Sequence, residues 1–240
     1  MALFETEFLS RAQVAEGTMA FHLRKPADFQ FKAGQSMNVR LVNPPETDGK
    51  GDARTFSIAS APSEDALVFV TRMRDTAFKR VLQTMPAGAK LQLRGPAGRF
   101  TLDDGSTGPA VFLAGGIGIT PFVSMLRQAA HERLGRKLYL FYSNRRPEDS
   151  AYLAELDRLQ TRNPNYRFVG TMTGMKNSLQ PWGGERGVID KAMLARSLED
   201  LSTSIYYVAG PPAMVDAMQN MLVGFGVNAD NIRTDEFYGY

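Results

Sequence analysis

The chain has 240 residues, 43% of them hydrophobic and 22% charged, with a formal net charge of +3. Such a chain can bury one large core or two small ones, and its composition excludes a disordered polymer. It has no cysteine and only two histidines, His22 and His131, both read as structural or surface residues. Disulfides, thiolate-held iron–sulfur clusters and CxxC redox couples are therefore excluded, and no metal site is expected.

The opening stretch, MALFETEFLS, carries Glu5 and Glu7 and lacks the basic-then-apolar order of a secretory signal, so a cytoplasmic protein is expected. From there to about residue 102, apolar residues mostly recur at every second position: TMAFHLR, SMNVRLV, ARTFSIAS, ALVFVTRM, AKLQLRG and GRFTL. Gly, Pro and Asp separate these runs, which predict a small antiparallel barrel or sandwich. A helical turn or two interrupts it at TAFKRVLQTM. Between Val68 and Arg99 stand Arg72, Arg74, Lys79, Arg80, Lys90, Arg94 and Arg99 against a single acid, Asp75. That run is a solvated face, or a surface for a phosphate ligand, an acidic protein or nucleic acid, and composition does not choose among them.

The period changes after DDGSTGP (103–109). The run from Gly105 to Leu126 is charge-free and long enough to span a membrane, but its five Gly and two Pro suit buried backbone better. Short apolar runs (AVFLAGG, LYLFYSN, YRFVGTMT, SIYYVAGP) now alternate with helical periods near 121–134, 149–162, 190–198 and 212–225. This predicts βαβ units in a parallel sheet covered on both faces, with NIRTDEF as a last strand. The expected architecture is two domains: an all-β antiparallel barrel over 1–104, then a doubly wound α/β domain over 105–240. Each parallel run ends in small or polar residues, on the edge where such sheets bind ligands.

Three motifs carry chemistry. GGIGITP (115–121) joins a buried strand to a helix, where glycines let backbone approach a pyrophosphate and the helix N-terminus offers free N–H groups. Thr120 is expected as N-cap and Pro121 as the first helical residue; the bland alternative is a tight capped turn. VAGPPAM (208–214) repeats this grammar, or merely starts a helix. DARTFSIASAP (52–62) places Arg54 and Ser57 around Phe56, to hold a flat, charged ligand or simply to expose an arginine on a half-buried strand.

Together these motifs resemble those of the ferredoxin–NADP reductase superfamily, two-domain flavoprotein reductases. That family has an Arg-x-(Tyr/Phe)-Ser flavin strand, a Gly-Gly-x-Gly-x-(Thr/Ser)-Pro nucleotide loop, a Gly-Pro-Pro turn and an acidic-aromatic carboxyl terminus, here in the same order. The resemblance implies FAD and either NADPH or NADH as cofactors. It implies that Arg54 binds the flavin pyrophosphate, that Phe56 packs on the ring beside Thr55, and that Ser57 bonds near N5. Val70, Thr71 and Arg72 match the second flavin segment. Its usual glycines and serine are replaced by RMRDTAFKRVL, so Arg74 and Lys79, with Phe78, stand where backbone contacts are customary. Gly115, Gly116, Gly118, Thr120 and Pro121 would receive the nicotinamide nucleotide, with Gly210, Pro211 and Met214 opposite and Ala209 where a cysteine is common. Ser143, Arg145 and Arg146 bear on coenzyme choice, the arginines suiting the 2′-phosphate of NADPH or serving as surface helix-start residues.

Asp235 or Glu236 would relay a proton, as Ser57 assists at N5, and Phe237 or Tyr238 would cover the flavin; Tyr240 could also reach back. The implied function is hydride transfer from NAD(P)H to FAD and single-electron delivery to a separate protein such as ferredoxin, flavodoxin or an oxygenase component. The alternatives are a reductase of free flavin or a ferric chelate, a non-catalytic nucleotide-binding regulator, or a barrel binding nucleic acid through 68–99. Neither nucleic acid nor a membrane span is expected.

Overall fold

The computed structural model describes residues 2–102 and 108–238. Its first half is an antiparallel sheet of β1 (Ala2–Ala15), β2 (Thr18–Arg24), β3 (Ser36–Leu41), β4 (Ala53–Ser57), β5 (Ala66–Arg72) and β6 (Lys90–Ala97), in the order β4-β3-β6-β1-β2-β5. The two edges of that order meet. Phe56 of β4 stacks on Phe69 of β5 at 4.5 Å, and the Ala59 N–H just past β4 donates to the Val68 carbonyl at 2.7 Å. An edge left open would expose unpaired backbone, so the sheet curls into a barrel around Phe21, Phe29, Met37, Phe69 and Leu93. Helix α1 (Ala77–Thr84) closes one end. Thr76 caps it by accepting the Lys79 N–H, and Phe78, Val81 and Leu82 face the core.

Two expectations needed correction. β1 was passed over because its alternation is broken: Leu3 and Leu9 are exposed, and only Thr6 and Phe8 are buried along the strand. Conversely, GRFTL (98–102) forms no strand. Phe100 turns toward the second half instead and packs edge-on against Tyr207 (5.8 Å) and beside Phe122 (5.6 Å). Its apolar character serves an interface, which a strand pattern cannot distinguish.

The second half is an all-parallel sheet of β7 (Ala110–Gly115), β8 (Leu138–Asn144), β9 (Tyr166–Met172), β10 (Glu185–Arg186), β11 (Ile205–Gly210) and β12 (Ile232–Glu236). Their spatial order is β10-β9-β8-β7-β11-β12. β7, β8 and β11 are apolar on both faces because helices cover both. α2 (Thr120–His131) and α3 (Leu153–Arg162) pack over Phe112, Leu140 and Tyr207 on one side. α4 (Lys191–Ser197) and α5 (Pro212–Gly224) pack over Val111, Leu113, Phe141 and Tyr206 on the other. The order of strands reverses between β7 and β11, so the ligand crevice of this sheet lies beyond their carboxyl ends.

The halves are joined by hydrogen bonds as well as apolar contact. On α2, Ser124 Oγ donates to the Ser60 carbonyl at 2.7 Å, and Arg127 reaches the Ala59 carbonyl while forking onto Glu155 at 2.6 and 2.9 Å. The tip of the β1–β2 hairpin is held too: the Glu16 N–H donates to the Glu148 carbonyl, and the Glu16 carboxylate meets Arg146 at 2.8 Å. The expected boundary at 104/105 falls outside the described residues. No helix is long and apolar enough to cross a membrane among the residues described.

Candidate functional site

A cavity of about 1050 Å³ lies between the barrel seam and the switch point of the parallel sheet. β4 lines it with Arg54, Thr55, Phe56 and Ser57, and β5 with Val70 and Thr71. Arg74 and Lys79 come from the α1 approach, Thr120 from the glycine turn, and Asp235, Glu236, Phe237 and Tyr238 from the end of β12. These thirteen predicted residues, far apart in sequence, thus share one space.

The cavity is cationic at one end. Lys50, Arg54, Arg74 and Lys79 all line it. Burial lowers the Lys79 pKa below the ordinary lysine value, and the charges of Arg74, Arg54 and Lys50 lower it further. Such crowding costs stability unless an anion enters, so this end selects anions. The Lys79 ammonium is fixed by the Arg72 carbonyl at 2.6 Å. Arg54 is fixed more firmly: Nη1 donates to the carbonyls of Lys50, Gly51 and Ala53 at 2.7–3.0 Å, and the guanidinium lies 5.1 Å over the Phe78 ring. Phe78 itself is buried beneath and supports Arg54 without lining the cavity.

The middle of the cavity is a flat wall. Phe56 is braced from behind by Phe69 and Phe78, and the nearby Ser57 is 7% exposed. At the far end Asp235 is largely buried. Burial raises its pKa to about 6, so its carboxyl can hold or release a proton near neutral pH. The two aromatic candidates separate here. Phe237 donates its N–H to the Gly210 carbonyl and packs against the cores of both halves, whereas Tyr238 is 76% exposed with its hydroxyl on Glu236. Tyr240 lies outside the described residues.

The remaining candidates flank the adjoining crevice. β7 and β11 approach so closely that a Cβ on Gly210 would stand 3.2 Å from the Gly115 backbone. Pro211 and Met214 border Gly115 across the gap. Gly116, at φ +55°, takes a left-handed conformation that suits glycine, and a Cβ there would lie 3.6 Å from an Arg72 Nη. Arg72 therefore sits at the glycine turn rather than in the cavity. Thr120 is not an N-cap: residues 116–119 form a 3-10 turn, Ile119 precedes the helix, and Thr120 and Pro121 are its first two residues. The Thr120 hydroxyl donates backwards to the Ile117 carbonyl at 3.1 Å, closing the 3-10 turn.

Ser143 and Arg145 stand at the carboxyl end of β8. Arg145 is exposed, while Arg146 is committed to Asp149 (3.0 and 2.9 Å) and Glu16. The two arginines are thus not equivalent: Arg145 is exposed, and Arg146 is held in ion pairs. Sequence reasoning missed Lys50, Thr76, Arg99, Phe100, Ile117, Arg233 and Thr234, which also line the cavity. Of these, Thr76 had a readable signal, as a threonine opening the TAFKRVL helix, Arg99 stands in the basic run and Ile117 inside GGIGITP; the rest lie in turns or packed runs without a motif.

A flat braced wall, a cationic end and a buried carboxyl match the needs of a planar redox ring bearing phosphates. The comparisons agree with this geometry. Residues 112–220 match the family model described as "Oxidoreductase NAD-binding domain". The chain is 31% identical to ferredoxin–NADP reductase B of Sorangium cellulosum, over 87% of this chain and 86% of that protein. It is 28% identical to the glycine betaine monooxygenase reductase subunit of Chromohalobacter salexigens, over 92% of this chain and 60% of that one. The chain spans only about 60% of the length of the oxygenase reductase relatives it matches. Among solved structures, the ferredoxin reductase of carbazole 1,9a-dioxygenase superposes with a TM-score of 0.81 at 26% identity, covering 99% of this chain and 70% of that one. Fold, site geometry and likeness to a full-length reductase together place this chain in the ferredoxin–NADP reductase superfamily.

Proposed function

We propose that the chain is an NAD(P)H-dependent flavoprotein reductase, with residues 1–104 as the FAD-binding domain and 105–240 as the nicotinamide-nucleotide domain. The observation that carries this reading is the shared cavity, in which the RTFS strand, the glycine turn and the Asp235 carboxyl converge. When bound, the flavin supplies the redox chemistry, taking two electrons from the nicotinamide and releasing them one at a time.

The residues act on position and charge. Arg54, Arg74 and Lys79 would hold the phosphates, with the Arg54 guanidinium already oriented by backbone carbonyls. Phe56 and Val70 wall one face of the ring, and Thr55 and Thr71 border it. Ser57 donates a hydrogen bond at the ring edge, and Asp235, with Glu236 nearer solvent, holds the proton that accompanies reduction. Phe237, which lines the cavity, would cover a bound ring until the nicotinamide displaces it. Gly115, Gly116 and Gly118 leave room for the nucleotide, with Thr120, Pro121, Gly210, Pro211 and Met214 as the walls of its crevice. These 240 residues hold no cysteine and so no thiolate-ligated iron–sulfur relay. A ferredoxin, a flavodoxin or an oxygenase component is the proposed acceptor, in keeping with relatives named as oxygenase reductase components. The cytoplasm is the proposed location, where reduced nicotinamide is regenerated.

The test is the visible spectrum of the purified protein after incubation with FAD, followed anaerobically on adding NADPH and then NADH. Flavin bands that bleach with a nucleotide support the reading; a protein that retains no flavin sinks it. We further propose NADPH as the preferred coenzyme, because Arg145 is presented at the end of β8 while no acid stands beside it on that strand. Arg145→Ala is expected to lower kcat/KM for NADPH about tenfold, the worth of one charge-assisted contact, and to leave NADH within about twofold. Equal losses with both coenzymes would remove Arg145 from that role.

A further inference from the structure

The segment between β3 and β4, NPPETDGKGD (43–52), folds back over the start of α1. Its first anchor is Glu46, whose carboxylate accepts from Arg80 Nε at 3.0 Å; Arg80 also pairs with Asp75. Its second anchor is Asp48. One carboxylate oxygen accepts the Lys50 N–H at 2.9 Å and lies 3.4 Å from Arg54 Nη2; the other accepts the Ala77 N–H at 3.2 Å. Ala77 is the first residue of α1, and its N–H is a donor that the helix itself cannot satisfy. Thr76 takes the Lys79 N–H of the same turn. A helix start beside an arginine is the usual seat of a phosphate, and here a carboxylate from the chain sits in it.

Arg54 and Thr76, which border this seat, also line the cationic end of the cavity with Lys50, Arg74 and Lys79. Asp48 is not needed to aim Arg54. Three carbonyls already hold Nη1 at 2.7–3.0 Å, and the Asp48 contact is the longest that Arg54 makes with this segment. The tip is uncrowded. Gly49 and Gly51 flank Lys50, and at both positions a Cβ would meet open space.

We propose that Asp48 is an internal surrogate for a cofactor phosphate: its carboxylate occupies the seat formed by Arg54 and the first N–H of α1, and yields it when a phosphate-bearing flavin enters. The Glu46–Arg80 pair keeps the near end of the segment in place while the Asp48 side chain rotates out of the seat, leaving the Lys50 and Gly51 carbonyls on Arg54. Flavin affinity is then set by competition between two anions for one set of donors. This inference rests on the flavin reading above.

The experiment titrates flavin-free protein with FAD, FMN and riboflavin, following flavin fluorescence, for wild type, Asp48→Asn and Asp48→Ala. Melting curves without ligand check that the variants fold. Both variants are expected to bind FAD tighter, by about tenfold for Asp48→Ala, while riboflavin, which has no phosphate, stays within about twofold. Inorganic pyrophosphate should raise the melting temperature of Asp48→Ala more than that of wild type. Unchanged or weaker FAD binding overturns the proposal, as does an equal gain for riboflavin. Should no flavin bind to any of the three proteins, the reductase reading fails. The surrogate is then judged on pyrophosphate alone, and equal responses of wild type and variant overturn it.

Discussion

Gly118→Ala is expected to lower the melting temperature by roughly 6–12 °C, from a loss of about 3 kcal/mol. A Cβ at this position would stand 2.4 Å from the Ala209 carbonyl oxygen, 2.5 Å from its carbon and 2.6 Å from the Gly210 nitrogen. All three are backbone atoms of β11, a strand hydrogen-bonded to β7 on one side and β12 on the other. No rotamer change relieves the clash. Either β11 moves and loosens both ladders, or the 3-10 turn at 116–119 unwinds and Thr120 loses its bond to Ile117. Gly224→Ala is the control: its Cβ would meet nothing within 4 Å, it sits at the end of α5, and it should be neutral or stabilising by up to about 1 kcal/mol. Thermal unfolding of the two variants side by side decides the matter. A Gly118→Ala protein that melts with wild type would mean that the turn and β11 are further apart than described.

Arg54→Ala is expected to weaken FAD binding about hundredfold while leaving riboflavin within about threefold. The reasoning is that the fixed guanidinium supplies a forked, charge-assisted contact to a phosphate, and two such bonds together account for a loss of this size. Arg54→Lys should recover only part of it, because an ammonium restores the charge but not the fork, nor the flat stacking over Phe78. Fluorescence titration of flavin-free protein measures all of these. A loss shared equally by riboflavin would mean that Arg54 supports the shape of the 50–53 backbone, whose carbonyls it binds, and not the phosphates. FAD affinity within threefold of wild type would remove it from the site altogether.

Much of the site was legible because its residues sit in short motifs whose local geometry and ligand chemistry coincide. Arg54 and Phe56 share one face of a strand with Ser57 next to them, and a glycine-rich turn can only join a buried strand to a helix in a few ways. The two-half architecture followed from the change of period near residue 105. What was not legible depends on which parts meet. The seam that braces Phe56 against Phe69 exists only because β4 and β5, outermost in the sheet order, close on each other. Burial of Asp235, and with it the raised pKa, depends on its tertiary surroundings, which a string of residues does not carry. Arg145 and Arg146 are indistinguishable as letters, yet Glu16 and Asp149 claim one of them. Thr120 was misassigned because a 3-10 turn uses up the residues that an ordinary N-cap would precede. β10, only two residues long, gives no periodicity to detect.

The order of strands in the parallel sheet also orders assembly. The barrel strands are complete by Ala97, and β7, β8 and β9 can pair as soon as residues 110–172 are available. The crevice, however, is bounded by β7 and β11, and β11 begins only at Ile205. The last wall of the cavity, Asp235 to Tyr238, comes later still. During synthesis from the amino end, the barrel cations that line the cavity are in place long before β11 and β12 exist. A nascent chain thus completes the barrel side of the cavity first, and the second half then folds against it.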